Sequence, residues 1–286
     1  KIGNKDEKIN CSLKKGQTKV IKRNGKRYER IANHIGLIPL VIISPADRNL
    51  IVEGSSTRRK FIDGVIGQTD KDYLKNLVDY NKTLAQRNAL LKYFAINRTF
   101  NRDNLEIYNH QMNELSEPIH KKRLAFMEAF IPIFKQRYDS ISANKESVNI
   151  HYYSDLNKSD MNKLLSQNLE RDKVIQYTSV GVHKDDLDFE ITEVPIKKFG
   201  SQGQQKTFLI ALKLAQFDFI KKIAGVNPIV LLDDIFDKLD QNRVSQTIKL
   251  FENESIGQIF VSDTHEDRIK VALSSTSSKY EVFNLN

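Results

Sequence analysis

The feature that most constrains this chain is a pair of short motifs separated by one helix. Ser201-Gln202-Gly203-Gln204-Gln205 reads as a loop opening a helix. About 25 residues later, Ile229-Val230-Leu231-Leu232-Asp233-Asp234 reads as a short apolar strand ending in two carboxylates. Between them Phe208, Leu212, Ala215 and Phe219 recur at helical spacing, and Gly225 marks the stop. A helix feeding a buried strand implies an α/β fold. The strand brings its carboxylates to the carboxyl edge of a sheet, where open α/β folds bind ligands.

The residue types at that edge suit phosphate chemistry. Asp233 stands where phosphate-loop NTPases hold Mg²⁺, and Asp234 is placed to polarise an attacking water. Ser201 supplies a hydroxyl, Gly203 permits close backbone approach, and a helix N-terminus offers unpaired N–H groups to a phosphate. Ser201 with Gln204 also fits an ordinary capping box. Asp237-Lys238-Leu239-Asp240 comes next, and then Phe260-Val261-Ser262-Asp263-Thr264-His265, whose imidazole can hydrogen-bond a terminal phosphate. The sequence contains no Gly-x-x-x-x-Gly-Lys-Ser/Thr phosphate loop. Its only Gly-Lys, Gly25-Lys26, is followed by Arg27 and falls in a hairpin. Gly-x-Ser-x-Gly is absent, and the histidines lack metal-ligand spacing.

The 286 residues suffice for one or two domains, and 40% hydrophobic with 28% charged residues is ordinary for a soluble globular protein. No apolar run approaches the ~20 residues that span a bilayer, and the polar start does not resemble a signal peptide. The single Cys11 excludes an intramolecular disulfide, and the expected compartment is the cytoplasm. Lys1 is not Met, which implies that residues precede it. The net charge of +9 favours partners that carry phosphates. It is concentrated at Lys14–Arg30, at Arg58-Arg59-Lys60 and at Lys121-Lys122-Arg123. Replacing Arg58 and Arg59 by Ala is expected to flatten the salt dependence of binding to such a polyanionic partner.

Along the chain, residues 8–30 predict short strands around turns at Lys15-Gly16 and Asn24-Gly25. Leu37–Ser44 predicts a buried strand ending at Pro45. Ser55-Ser56-Thr57 is expected to cap a helix over Arg58–Val65, Asp70 to open a second reaching Phe94, and a third to run from Asn101 towards Tyr138. Breaks or kinks are expected at Pro118 and Pro132. Val148–Tyr152 predicts a strand, Lys158–Gln176 a helix, Tyr177–Val180 and Asp188–Thr192 strands, and Gln205–Ala224 a helix. Pro228–Asp233, Gln258–Ser262 and Tyr280–Asn284 complete the strands, with a helix near Asn242–Glu252.

The order of these segments resembles the RecF family of bacterial recombination and repair ATPases, relatives of the SMC proteins. Ile43-Ser44-Pro45-Ala46-Asp47, Gly54–Asp63 and the helix Tyr80–Leu91 carry the resemblance beyond the ATPase marks. So does Gly181-Val182-His183-Lys184-Asp185-Asp186-Leu187, where Val182 and Lys184 replace the family's Pro and Arg. The resemblance implies an ATP-binding-cassette head divided into a remnant of lobe I (1–48), a helical lobe II (49–146) and a C-terminal ATPase part (147–286). It implies that the chain lacks the N-terminal Walker A segment and binds ATP weakly or not at all by itself. Ser201, Gln202, Gly203 and Gln204 would form the signature that meets ATP held by the opposite subunit. Asp233 would be the Mg²⁺ carboxylate, Asp234 the catalytic one, Asp240 the closing residue of the D-loop and His265 the switch histidine. ATP would join a head-to-tail homodimer acting at gapped DNA, where duplex meets single strand, without reading sequence. RecR and RecO would be its partners in promoting RecA loading. Two alternatives remain: a DNA- or partner-binding module without turnover, and a metal-dependent nuclease using Asp233, Asp234, Asp237 and Asp240.

Overall fold

The computed structural model describes residues 6–142, 146–233, 257–264, 270 and 279–283. Among them are three small three-stranded sheets and several long helices. β1 (Ile9–Ser12), β2 (Val20–Arg23) and β3 (Lys26–Arg27) form an antiparallel meander. Its second turn is Asn24-Gly25, with φ of 49° and 82°. Both values lie in the left-handed region that an Asn-Gly hairpin turn requires.

β4 (Leu40–Ile43) begins just after Pro39 and pairs in parallel with β8 (Ile229–Asp233), which pairs in parallel with β9 (Ile259–Ser262). Val41, Ile43, Val230 and Leu232 point to one face and are buried there, whereas Ile42 and Phe260 are exposed. That alternation follows from the two-residue period of a strand. The third sheet joins β5 (Val148–Tyr153), β6 (Asp186–Ile191) and β7 (Val194–Pro195), all antiparallel.

Helices α1 (Asn49–Val52) and α2 (Ser55–Thr69) follow β4. α2 starts earlier than the sequence predicts: Gly54 is its N-cap, so Ser55, Ser56 and Thr57 fill the first turn instead of capping it. α3 (Lys71–Asn97) opens as expected, the Asp70 carboxylate accepting from the Tyr73 N–H at 2.8 Å. α4 (Arg102–Ser142) runs unbroken through Pro118 and Pro132, so the expected breaks are absent. α3 and α4 pack against each other, and α4 packs along α8 (Gln202–Ala224).

Two further expectations are corrected. Residues 158–176 form two helices, α5 (Met161–Gln167) and α6 (Leu169–Ile175), because the Asn168 amide folds back onto the Leu164 carbonyl and ends the first. Residues 177–180 form no strand. The Thr178 N–H donates to the Asn88 side chain and the Ser179 N–H to Asp172, so no ladder can claim them. Residues 280–283 are likewise not a strand, and the expected helix near 242–252 lies outside the described residues. Between β7 and α8 lies α7 (Ile196–Phe199). One buried cluster runs from Val41 and Ile43 through Tyr80, Phe130 and Phe208 to Leu232.

Candidate functional site

Asp233 is the last residue of β8, the central strand of the parallel sheet, and it is exposed at the carboxyl edge. Its cross-strand partner at the end of β9 is Ser262, whose hydroxyl donates to Asp233 Oδ1 at 2.5 Å. The bond orients the carboxylate, and an exposed carboxylate oxygen is the donor type Mg²⁺ prefers. Asp234, Asp237, Asp240 and His265 lie outside the described residues.

Ser201 is the N-cap of α8. Its Oγ accepts from the Gln204 N–H at 3.2 Å, and Gln204 Oε1 accepts from the Ser201 N–H at 2.7 Å. The capping box is therefore real, and it does not exhaust the serine. An accepting hydroxyl still has its own hydrogen to donate. Gln204 also donates to Glu146 at 2.6 Å, and Glu146 accepts from the Tyr138 hydroxyl at 2.7 Å, which ties the turn to the end of α4. Gly203 is half-buried in the first turn of α8, and Thr207 donates to its carbonyl at 3.0 Å.

A cavity of about 220 Å³ joins this turn to the carboxyl end of β4. Ile43, Ser44 and Pro45 line one side, and Gln202, Gln205 and Leu209 the other. In its wall Lys213 pairs with Asp47 at 2.7 Å, although Lys213 is only 7% exposed. The first turns of α8 and the carboxyl end of β4 thus border one cavity. No hydrogen bond or ion pair joins Ser201 to Asp233 among the described residues.

The Gly181–Asp186 segment is the floor of a buried ionic network that the sequence reading missed. Arg123 is 1% exposed; it bonds Asp185 at 2.6 Å, Asp63 at 2.8 Å, the Val182 carbonyl at 2.6 Å and the Tyr73 hydroxyl at 3.0 Å. The Tyr80 hydroxyl lies 2.7 Å from His183 Nδ1, and His183 Nε2 lies 3.0 Å from the Thr178 carbonyl. That geometry assigns the Nε2–H tautomer, with Nδ1 accepting from Tyr80. Burial, reinforced by the charges of Lys184 and Arg59, pushes the His183 pKa down to about 4. Gly181 holds φ of 114°, and a Cβ there would meet Met161 Cε at 2.6 Å. A second buried pair, Arg87 with Asp172 at 2.7 Å, links α3 to α6. The signal for Arg123 was present: it falls on the helical face of Ile119, Phe126, Met127 and Phe130, all buried.

The basic clusters are used unequally. Arg123 is buried, Lys121 pairs with Glu117 at 2.5 Å, and Lys122 pairs with Asp70 at 2.6 Å. Arg58 clamps Asp186 through two bonds of 2.8 and 3.0 Å and donates to the Glu53 carbonyl at 2.9 Å. Arg59 donates to the Asp185 carbonyl at 2.7 Å. The lysines of residues 8–30 have no such partners among the described residues, and Arg23 alone of that cluster is paired, with Glu7 at 2.6 Å.

No protein-family model matches the chain. Sequence comparison finds 58% identity over 279 residues with the DNA replication and repair protein RecF of Flavobacterium johnsoniae, covering 98% of this chain and 78% of that protein. The chain belongs to the RecF family. A second RecF, from Bacteroides thetaiotaomicron, is 46% identical over 98% of this chain and 75% of its own length. The α/β fold is that of a solved structure of the recombination mediator protein RecF with ATP in the RecFOR pathway. That RecF matches with a TM-score of 0.81 and 31% identity, over 91% of this chain and 71% of the other. RecF proteins carry the name of DNA replication and repair proteins, and this chain spans about three quarters of their length. No described helix is long and apolar enough to cross a membrane.

Proposed function

We propose that this chain is the greater part of an ATP-dependent, dimerising DNA clamp that acts at gapped DNA. With RecR- and RecO-type mediators it would promote RecA loading. The observation that carries this reading is the pairing of a Ser201-capped helix N-terminus, its hydroxyl hydrogen still available, with Asp233 exposed at the carboxyl edge of a parallel sheet.

In this reading Asp233, steadied by Ser262, would hold Mg²⁺, which would supply charge neutralisation at the nucleotide phosphates. Asp234 polarises the attacking water, His265 contacts the terminal phosphate, and Asp240 closes the dimer seam. Ser201 donates its hydroxyl, and Gly203 admits the phosphate to the first N–H groups of α8, where the helix dipole favours an anion. Gln202, on the cavity wall, and Gln204, braced by Glu146, set the shape of that turn. The site is shared by two subunits in this reading, one giving Asp233 and the other Ser201.

The test is complementation in the full-length protein. Asp233→Asn and Ser201→Asp variants should each lose ATP hydrolysis, and their mixture should regain part of it, because the mixed dimer contains one intact composite site. No recovery on mixing would place both halves in one subunit and sink the shared-site reading.

A further inference from the structure

We infer that the sheet β1–β3 is a docking surface for the phosphodiester backbone of double-stranded DNA, which deepens the clamp reading and rests on it. Residues 6–30 hold nine Lys and Arg against three acids, a surplus of six within a chain whose net charge is +9. The other two basic clusters are largely spent on internal partners: Arg58 on Asp186, Lys121 on Glu117, Lys122 on Asp70, and Arg123 in the core. By contrast Lys14, Lys15, Lys19, Lys22 and Arg27 have no carboxylate partner among the described residues, and all are exposed.

The register arranges part of this charge. Lys22 lies directly opposite Arg27 on β3 and opposite Asn10 on β1, so the three share one face as a single rung. Like charges placed directly opposite one another destabilise a strand pair. Among the described residues no acid relieves them, and a polyanion would. The first turn adds Lys14 and Lys15, the Gln17 N–H closing it onto the Lys14 carbonyl at 3.0 Å.

The chemistry of the face selects the partner. β1–β3 and their connecting turns contain no aromatic residue, and Tyr28, which follows β3, is half-buried with its ring against His34, so the face offers no row of exposed rings on which single-stranded bases could stack. Leu13 is the one large exposed apolar side chain on the sheet, too little to anchor it in a lipid surface. Cations without base-stacking groups contact backbone phosphates and do not read sequence.

Fluorescence anisotropy of a labelled 30-base-pair duplex, titrated with this chain at several salt concentrations, tests the inference. The paired substitution Lys22→Ala with Arg27→Ala should reduce the slope of log affinity against log salt by about 1.8, at about 0.9 per lost phosphate contact. The swap Lys22→Arg with Arg27→Lys should preserve the slope. Removing two cations elsewhere, Lys158→Ala with Lys163→Ala, should leave it unchanged. A wild-type slope in the Lys22/Arg27 alanine variant overturns the inference while leaving the clamp reading intact. An equal loss in the Lys158/Lys163 control reduces the effect to net charge and also overturns it. Failure of the unmodified chain to bind duplex would overturn the inference and the DNA part of the clamp reading together.

Discussion

Arg123 Nη1 and Asp185 Oδ2 lie 2.6 Å apart with both side chains sealed from water, one on α4 and the other just ahead of β6. Removing one member of such a pair leaves a buried charge uncompensated. Arg123→Leu should therefore lower the unfolding free energy by about 3–5 kcal/mol in a denaturant titration. Arg123→Lys should not rescue it, because an ammonium cannot serve Asp185, Asp63, the Val182 carbonyl and Tyr73 from one planar fork. A loss under about 1 kcal/mol would mean the network is not a keystone of the fold.

His183 sets a pH dependence. Its ordinary pKa of 6.5 falls to about 4 in the folded chain, chiefly through burial. The unfolded chain takes up this proton near 6.5 and the folded chain only near 4. Stability is then full above pH 6.5 and is lost as pH falls towards 4, by about 3 kcal/mol in all. Unfolding measured between pH 5 and 6.5, where most carboxylates stay ionised, should show the decline in the native chain and a flatter curve in His183→Gln. Equal slopes would assign the acid sensitivity to another group.

Ser201 separates a structural role from a functional one. Ser201→Ala removes the cap of α8 and should cost about 1 kcal/mol of stability. Ser201→Asp keeps a good cap, so its melting temperature should stay close to wild type, yet it sets a negative charge against the nucleotide. In the full-length protein it should abolish ATP-dependent formation of the Ser201→Asp homodimer, in which both composite sites carry that charge, read by light scattering. Normal dimerisation in Ser201→Asp would reduce this turn to a capping box and nothing more.

Arg58 is expected to act on stability and not on DNA. With its guanidinium clamped on Asp186 and the Glu53 carbonyl, Arg58→Ala should cost about 1 kcal/mol at this partly exposed site. The salt slope of duplex binding should not change. A flattened slope with unchanged stability would restore the role the sequence assigns to it.

What could be read from the sequence was local. The Asn24-Gly25 turn, the Asp70 cap and the β-branched runs of β4 and β8 declare themselves through their own backbone chemistry, and the structure places them as expected. Asp233 falls at the sheet edge for the same reason. The misses involve partners distant in sequence. Tyr177–Val180 has the composition of a strand, but Asn88 and Asp172 take its N–H groups. Lys121-Lys122-Arg123 looks like a charged run when read linearly; wound at 3.6 residues per turn, it sends two cations outward and one into the core. Pro118 and Pro132 predict interruption, and packing along α3 and α8 holds α4 continuous instead.

The uneven charge of residues 6–30 also bears on how the molecule moves before it touches anything. With those residues carrying a surplus of six and all the others together only three, the chain is a strongly polarised body. In the field of a polyanion it experiences a torque as well as an attraction, so it turns its small meander forward during approach. Contact then begins with the meander already leading. Dilute salt speeds arrival by preserving that alignment, and concentrated salt slows it by letting the molecule tumble freely until collision.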